Sequence, residues 1–108
     1  MAHQEMMPAE ALERYHGGDV VVLDVRTPPE WVGGHIPGAV HIPMDELPAR
    51  HQELDPERET LVVCQHGVRS AYAGQWLSQM GFDQVYNVRY GMSRWEGPVE
   101  VGESREEG

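Results

Sequence analysis

The sequence predicts an α/β domain built on a parallel sheet, and three observations carry that prediction. Val20-Val21-Val22-Leu23-Asp24-Val25 and Thr60-Leu61-Val62-Val63-Cys64 are nearly unbroken apolar runs rich in β-branched residues. A strand without a polar face must be covered on both sides, which is the situation of a central strand in a parallel sheet. Segments with helical spacing lie between and after these runs, so strands and helices alternate along the chain. The 108 residues leave room for one such domain, which buries roughly two-thirds of its unfolded surface.

Taken in order, Pro8–His16 reads as a short helix: Pro8 suits its first turn, Leu12 and Tyr15 share a face, and Gly17-Gly18 stop it. After the first apolar strand, Thr27 caps a short helix that begins at Pro28-Pro29, carries Trp31 and ends at Gly33-Gly34. His35-Ile36-Pro37-Gly38 is turn chemistry, and Ala39–Ile42 is a short strand stopped by Pro43. Residues 44 to 59 are acidic and interrupted by proline, with a helical turn or two around Met44–His51. The second apolar strand ends at Cys64. A helix over residues 70 to 80 follows, with its apolar stripe at Tyr72, Ala73, Trp76, Leu77 and Met80. Gly81 stops it, with Phe82 placed to pack back on the last turn. Gln84–Val88 is a third strand and Gly91–Trp95 a helical turn. From Gly97 the chain is rich in Gly, Pro and Glu and is expected to fray. Residues 1–100 are therefore expected to form one domain, and 101–108 an acidic, flexible tail.

Charge narrows the partners. The chain carries a net −10, contrary to the basic surface that nucleic acid requires. Its distribution is uneven: between residues 60 and 95, Arg69, Arg89 and Arg94 face Asp83 alone, a local +2 that leaves −12 for the remainder. A positive segment around the only cysteine of an acidic chain points to a small anionic substrate. There is no lysine, so every strong base is a guanidinium suited to fixed, bidentate contacts. No apolar run approaches the ~20 residues of a membrane span, and Met1–Met7 has neither the basic nor the apolar region of a signal peptide. A cytoplasmic location is the expectation. One cysteine excludes an internal disulfide and a cysteine-only metal site, and Cys64 with His66 is too sparse a set to hold a metal.

Cys64 ends a buried strand, a helix starts about five residues later, and Gln65-His66-Gly67-Val68-Arg69 lies between them. Parallel α/β sheets bind ligands at the carboxyl ends of their strands. The helix start supplies unpaired N–H groups and a partial positive charge. No proline interrupts Cys64–Ser70, so each amide there can turn toward an anion, and Gly67 allows the positive φ such a cradle needs. A thiol in that field favours its thiolate, the nucleophilic form, with Arg69 as a cationic fork at the rim. Against this stands the bland reading, in which Cys64 is a small apolar residue closing a strand.

The string Cys64-Gln65-His66-Gly67-Val68-Arg69-Ser70 resembles the active-site loop of the rhodaneses. Asp24-Val25-Arg26, followed by Glu30-Trp31 and Gly34-His35-Ile36-Pro37-Gly38-Ala39, resembles the family's N-terminal signature, and Gly91-Met92-Ser93-Arg94-Trp95 is similar to its glycine–glycine motif ending in Trp. The matches span residues 24 to 95. The resemblance implies a rhodanese-like three-layer domain, with a mainly parallel five-stranded sheet flanked by helices. It also implies a sulfurtransferase in which Cys64 takes the outer sulfur of thiosulfate or a similar donor, holds it as a persulfide and passes it to cyanide or a thiol. Residues 65–70 (Gln65, His66, Gly67, Val68, Arg69 and Ser70) would bind substrate, Asp24 and Arg26 would support the loop, and no metal or organic cofactor is implied.

Two departures from the family pattern stand out. Tyr90 occupies the position of the motif's first glycine, and the loop carries one arginine and one histidine where thiosulfate-preferring members often have more positive charge. Two rivals share the fold. The phosphatases and arsenate reductases have a loop one residue longer, Cys-x5-Arg, whereas here Arg69 follows Cys64 after four residues and Ser70 stands in the phosphatase position. A silent binding module typically lacks the cysteine. Asp24 and Arg26 are read first as an ion pair with each other or with Glu30 that pins the loop. His35 and His41 are read as turn and surface residues, His66 as a rim residue with a possible acid–base part, and Trp31, Trp76 and Trp95 as core.

Overall fold

The strand that ends at Cys64 is the middle one of a five-stranded sheet. In the computed structural model, which describes residues 4–103, the elements are β1 (Gln4–Met6), α1 (Pro8–Gly17), β2 (Val21–Asp24), α2 (Pro28–Val32), β3 (Val40–His41), α3 (Leu47–Arg50), β4 (Thr60–Val63), α4 (Val68–Gln79) and β5 (Val85–Val88). Short 3-10 turns cover Met44–Glu46, His51–Glu53 and Gly91–Arg94. The strand order is β1-β5-β4-β2-β3, and each neighbouring pair runs parallel. Leu23 of β2 lies opposite Val62 of β4 on one side and Val40 of β3 on the other.

The two apolar runs read from the sequence are β2 and β4, and both faces of each are covered. Because side chains alternate along a strand, Val62 and Cys64 enter one core layer with Leu47 of α3 and Ala73 and Leu77 of α4. Leu61 and Val63 enter the other with Ala11 of α1, Ile36 and Met6. The result is the three-layer α/β architecture. From β2 the chain moves outward to β3, and from β4 it moves outward to β5, so the strand order reverses between β2 and β4. The loops after Asp24 and after Val63 open at that crevice, where such sheets bind ligands.

Several expectations are corrected. β1 was not foreseen because only Met6 of its three residues is buried; its partner is β5, at the far end of the sequence. α4 starts at Val68, two residues early, and its buried stripe is Ser70, Ala73, Gly74 and Leu77. Tyr72 and Met80, assigned to the apolar face, are 64% and 47% exposed. The helix begins inside the loop, which sets its phase, and small residues rather than large ones face the sheet. Trp31 is buried, while Trp76 and Trp95 are only half-buried. His35, read as a turn residue, is buried against the ring of Trp31 at a centroid distance of 3.6 Å, and half-buried His41 stacks on the same ring at 4.5 Å. The segment after Gly97 is tied back: Glu100 and His35 exchange both backbone hydrogen bonds, and the Gly102 N–H donates to the Val32 carbonyl. Residues 104–108 of the acidic tail lie outside the described residues.

The turn at Gly91–Arg94 closes the fold against the Cys64 loop. The Met92 N–H donates to the Cys64 carbonyl and the Ser93 N–H to the Gln65 carbonyl. Gly91 has φ +55, and a Cβ there would stand 2.1 Å from the Cys64 oxygen. Gly91→Ala is therefore expected to destabilise the protein by at least about 2 kcal/mol. Gly81→Ala, at φ +101 but with nothing within 4 Å, carries the left-handed penalty alone, roughly 1–2 kcal/mol. Urea unfolding of the two variants checks this ranking; equal midpoints would contradict it.

Candidate active site

Cys64 sits one residue past β4 and is 1% exposed. Its sulfur is surrounded by donors. The Gly67 N–H lies 3.1 Å from Sγ, the Ser70 N–H 3.3 Å and the Ser70 hydroxyl 3.3 Å. Gly67 makes this possible by adopting φ +93 as the residue before α4; a Cβ there would stand 2.8 Å from the Tyr90 nitrogen. Burial pushes the thiol pKa up. Hydrogen bonds from the Ser70 hydroxyl and the amides of Ser70, Gly67 and His66 together outweigh it, so the pKa lies below the ordinary thiol value. The arrangement stabilises a sulfur anion with neutral donors.

Behind the cradle stands Asn87 of β5, a buried polar residue that the sequence reading passed over. Its Oδ1 lies 2.5 Å from the Ser70 Oγ, and its Nδ2 donates to the Gly67 carbonyl at 3.1 Å and to a Glu5 carboxylate oxygen at 2.9 Å. One hydroxyl proton cannot serve both Asn87 and Cys64. With a neutral thiol, Ser70 can accept from sulfur and donate to Asn87; with a thiolate, the proton is drawn to sulfur. The only signal for Asn87 in the sequence was a polar residue inside an otherwise apolar strand.

Across the crevice, Asp24 and Arg26 form the expected ion pair, with the Arg26 Nη2 2.8 Å from the Asp24 Oδ2 and exposures of 3% and 0%. Arg26 also donates to the Gln65 side-chain oxygen at 3.0 Å and to the Gly34 carbonyl at 2.7 Å. Glu30 does not join this pair. It binds Arg69 through two parallel hydrogen bonds of 2.9 Å, while its Oε1 also accepts from the Thr27 N–H at the start of α2. Arg69 therefore does not stand at the rim as a free cation, as expected, but is neutralised by a carboxylate from another loop. The Arg69 hydrogen bonds hold the Glu30 pKa down at about 2, against a smaller upward push from burial.

Of the other loop residues, Ser70 is buried, Gln65 and Gly67 are half-buried, and His66 and Val68 are exposed. His66 thus lies at the rim. Tyr90 takes φ +65, the left-handed conformation that the family glycine would adopt without strain, at a cost of about 1–3 kcal/mol. Among the described residues, no group of three or more His, Cys, Asp or Glu side chains is placed to hold a metal ion, and no helix is long and apolar enough to cross a membrane.

Residues 7–98 match the rhodanese-like domain family. A protein from Allochromatium vinosum named sulfurtransferase is 39% identical over 77 residues, covering 71% of this chain and 72% of that protein. A putative sulfur carrier protein of Bacillus subtilis, YrkF, is 42% identical over 79 residues; the match covers 73% of this chain and 43% of that longer protein. The crystal structure of a rhodanese-related protein from Thermoplasma volcanium superposes with a TM-score of 0.83 at 33% identity, covering 92% of this chain and 99% of the other. These likenesses support a role in sulfur transfer or as a rhodanese module. With a family match over most of its length and the five-stranded parallel sheet that its structural neighbours share, the chain belongs to the rhodanese-like domain family.

Proposed function

We propose that the protein is a sulfurtransferase that carries sulfur on Cys64 between an anionic sulfane donor, such as thiosulfate, and a thiol or cyanide acceptor. The observation that carries the reading is the convergence of three hydrogen-bond donors on one buried sulfur. A cysteine that merely filled the core would have no use for them. In the first half-reaction the Cys64 thiolate attacks the outer sulfur of the donor. A new S–S bond forms, the donor's S–S bond breaks, and its electron pair leaves with sulfite. In the second, the acceptor attacks the outer sulfur and Cys64 departs as thiolate, so the pathway is double displacement. The cradle amides serve each anion in turn. Substrate contacts fall to the loop from Gln65 to Ser70, with Asp24 and Arg26 bracing it from across the crevice.

Incubation with thiosulfate is expected to add one sulfur atom to the intact mass, and cyanide to remove it. The chain has no second thiol to attack the persulfide, so the loaded form should survive desalting. Cys64→Ser should neither load nor make thiocyanate while keeping the wild-type fold by circular dichroism. Loading of that variant, or no loading of the wild type, would sink the proposal.

Ser70→Ala removes the side-chain donor and leaves the amides, so the Cys64 pKa should rise. The pH at which iodoacetamide alkylation reaches half its maximal rate is expected to move upward, and thiosulfate loading at neutral pH to slow. An unchanged alkylation profile would show that the hydroxyl belongs to Asn87 alone.

Glu30→Gln should release the charge of Arg69 and raise kcat/KM for thiosulfate several-fold. It also tests a pH effect. A carboxyl held at about 2 when folded contributes stability above its unfolded value near 4.5, and loses it as pH falls toward 2. The pair is partly exposed, so that contribution is about 1 kcal/mol or less. Between pH 4.5 and 2 the variant should therefore lose stability less steeply than wild type. Parallel unfolding curves, with thiosulfate kinetics unchanged, would show that the ion pair has neither consequence.

A further inference from the structure

The guanidinium groups nearest Cys64 are neutralised, Arg26 by Asp24 and Arg69 by Glu30. Two arginines beyond the loop are not. Arg89 and Arg94 have no ion pair with a carboxylate among the described residues, and both are exposed. Instead they converge on one ring: the guanidinium carbons lie 5.4 Å and 4.9 Å from the Tyr90 centroid. Two like charges held over one side chain, in a chain of net −10, are an arrangement that surface electrostatics alone would not favour. Tyr90 is also the one described non-glycine residue with positive φ. Strained backbone at the border of a reactive loop marks positions where geometry serves a ligand.

Tyr90 and Arg89 line an open groove of about 470 Å³ together with His66, Gly67, Val68 and Tyr72. The groove thus brings together residues of the loop that holds Cys64, Arg89, and exposed apolar surface from Val68 and Tyr72. Glu5 also lines it, with its carboxylate held by Asn87. Cys64 itself is not in the lining. His66 and Gly67, which lie between Cys64 and Arg69 in the loop, are the residues that join the groove to the cradle.

We propose that Arg89 and Arg94, ordered by Tyr90, form an anion-recognition site that selects small carboxylate-bearing thiols as sulfur acceptors. The assignment rests on the sulfur-transfer reading and adds the acceptor class and the residues that choose it. The acceptor's thiolate attacks the outer sulfur of the Cys64 persulfide and Cys64 leaves as thiolate. The carboxylate meanwhile lies against Arg89, with Arg94 reinforcing the charge from the Tyr90 ring. Arg89, which lines the groove, contributes more than Arg94.

The test separates loading from unloading. Protein loaded with thiosulfate and desalted is first weighed intact, then mixed with mercaptosuccinate, 2-mercaptoethanol or cysteamine. Loss of the extra sulfur is followed in a single turnover, with rates normalised to thiolate concentration. Wild type should prefer the dianion to the neutral thiol and the neutral thiol to the cation, and salt should compress the series. Arg89→Gln with Arg94→Gln should cut the mercaptosuccinate to 2-mercaptoethanol ratio by about threefold to tenfold, as expected for two exposed ionic contacts. Tyr90→Gly should lower it as well. Arg58→Gln, two residues before the start of β4 and so at the opposite end of that strand from Cys64, should leave it unchanged. Absence of the preference, or its persistence in the double variant, would overturn this inference while leaving the persulfide mechanism intact. Failure to load would instead remove the sulfur-transfer reading, and the acceptor assignment with it.

Discussion

Arg26 is the fastener on which the site depends. Its guanidinium pairs with Asp24 at the end of β2, reaches the Gln65 side chain in the loop after β4, and holds the Gly34 carbonyl beyond α2. Its own carbonyl accepts from His41 on β3. Three segments are thus drawn to one buried side chain and a fourth to its backbone, at the place where the strand order reverses. A guanidinium can do this because its donors are fixed in a plane and its charge is permanent. The arrangement is stable only as a whole. Loss of either member of such a buried pair leaves an uncompensated charge, at a cost of about 3–5 kcal/mol. This explains why a buried arginine of the candidate site contributes position and not net charge.

The electrostatics of the cradle follow from the same economy. Burial makes a sulfur anion costly, and the nearest cations are already matched by carboxylates. A sulfur anion there is therefore met by amide dipoles and one hydroxyl, which have no counterions and would need little reorganisation in the proposed passage from thiolate to persulfide. Ser70 alone is ambiguous in its allegiance, since its proton lies between sulfur and Asn87.

What the sequence disclosed, and what it withheld, have physical reasons. β2 and β4 were legible because a strand buried on both faces has no polar alternation to blur it. Cys64, Gly67 and the helix start were legible because chain-local chemistry defines an anion cradle. β1 was not, since two of its three residues are exposed and its partner β5 lies about eighty residues away. The phase of α4 was misread because Ser70 and Gly74 face the sheet and carry no apolar signal, while Tyr72, which does, points away. Glu30 and Arg69 lie 39 residues apart, so nothing local in the sequence pairs them. Asn87 escaped for the same reason, its role being set by neighbours that only the folded sheet supplies. His35 was taken for a turn residue because its burial comes from stacking on Trp31 and from the returning backbone at Glu100.

The parallel sheet also places the supports of the site far along the sequence from the residues they hold. Parallel neighbours must be joined by crossovers, and β1 has no strand partner until β5 has been made. Asn87, which steadies Ser70 and Gly67, and the turn that holds the Cys64 carbonyl both lie more than about twenty residues after Cys64. At synthesis rates of about 5–20 residues per second, Cys64 precedes these supports by roughly one to five seconds. Cys64 is thus synthesised before the residues that hold its loop in place. A chain that stopped before β5 would keep Cys64 but lose both the side chain and the turn that hold its loop.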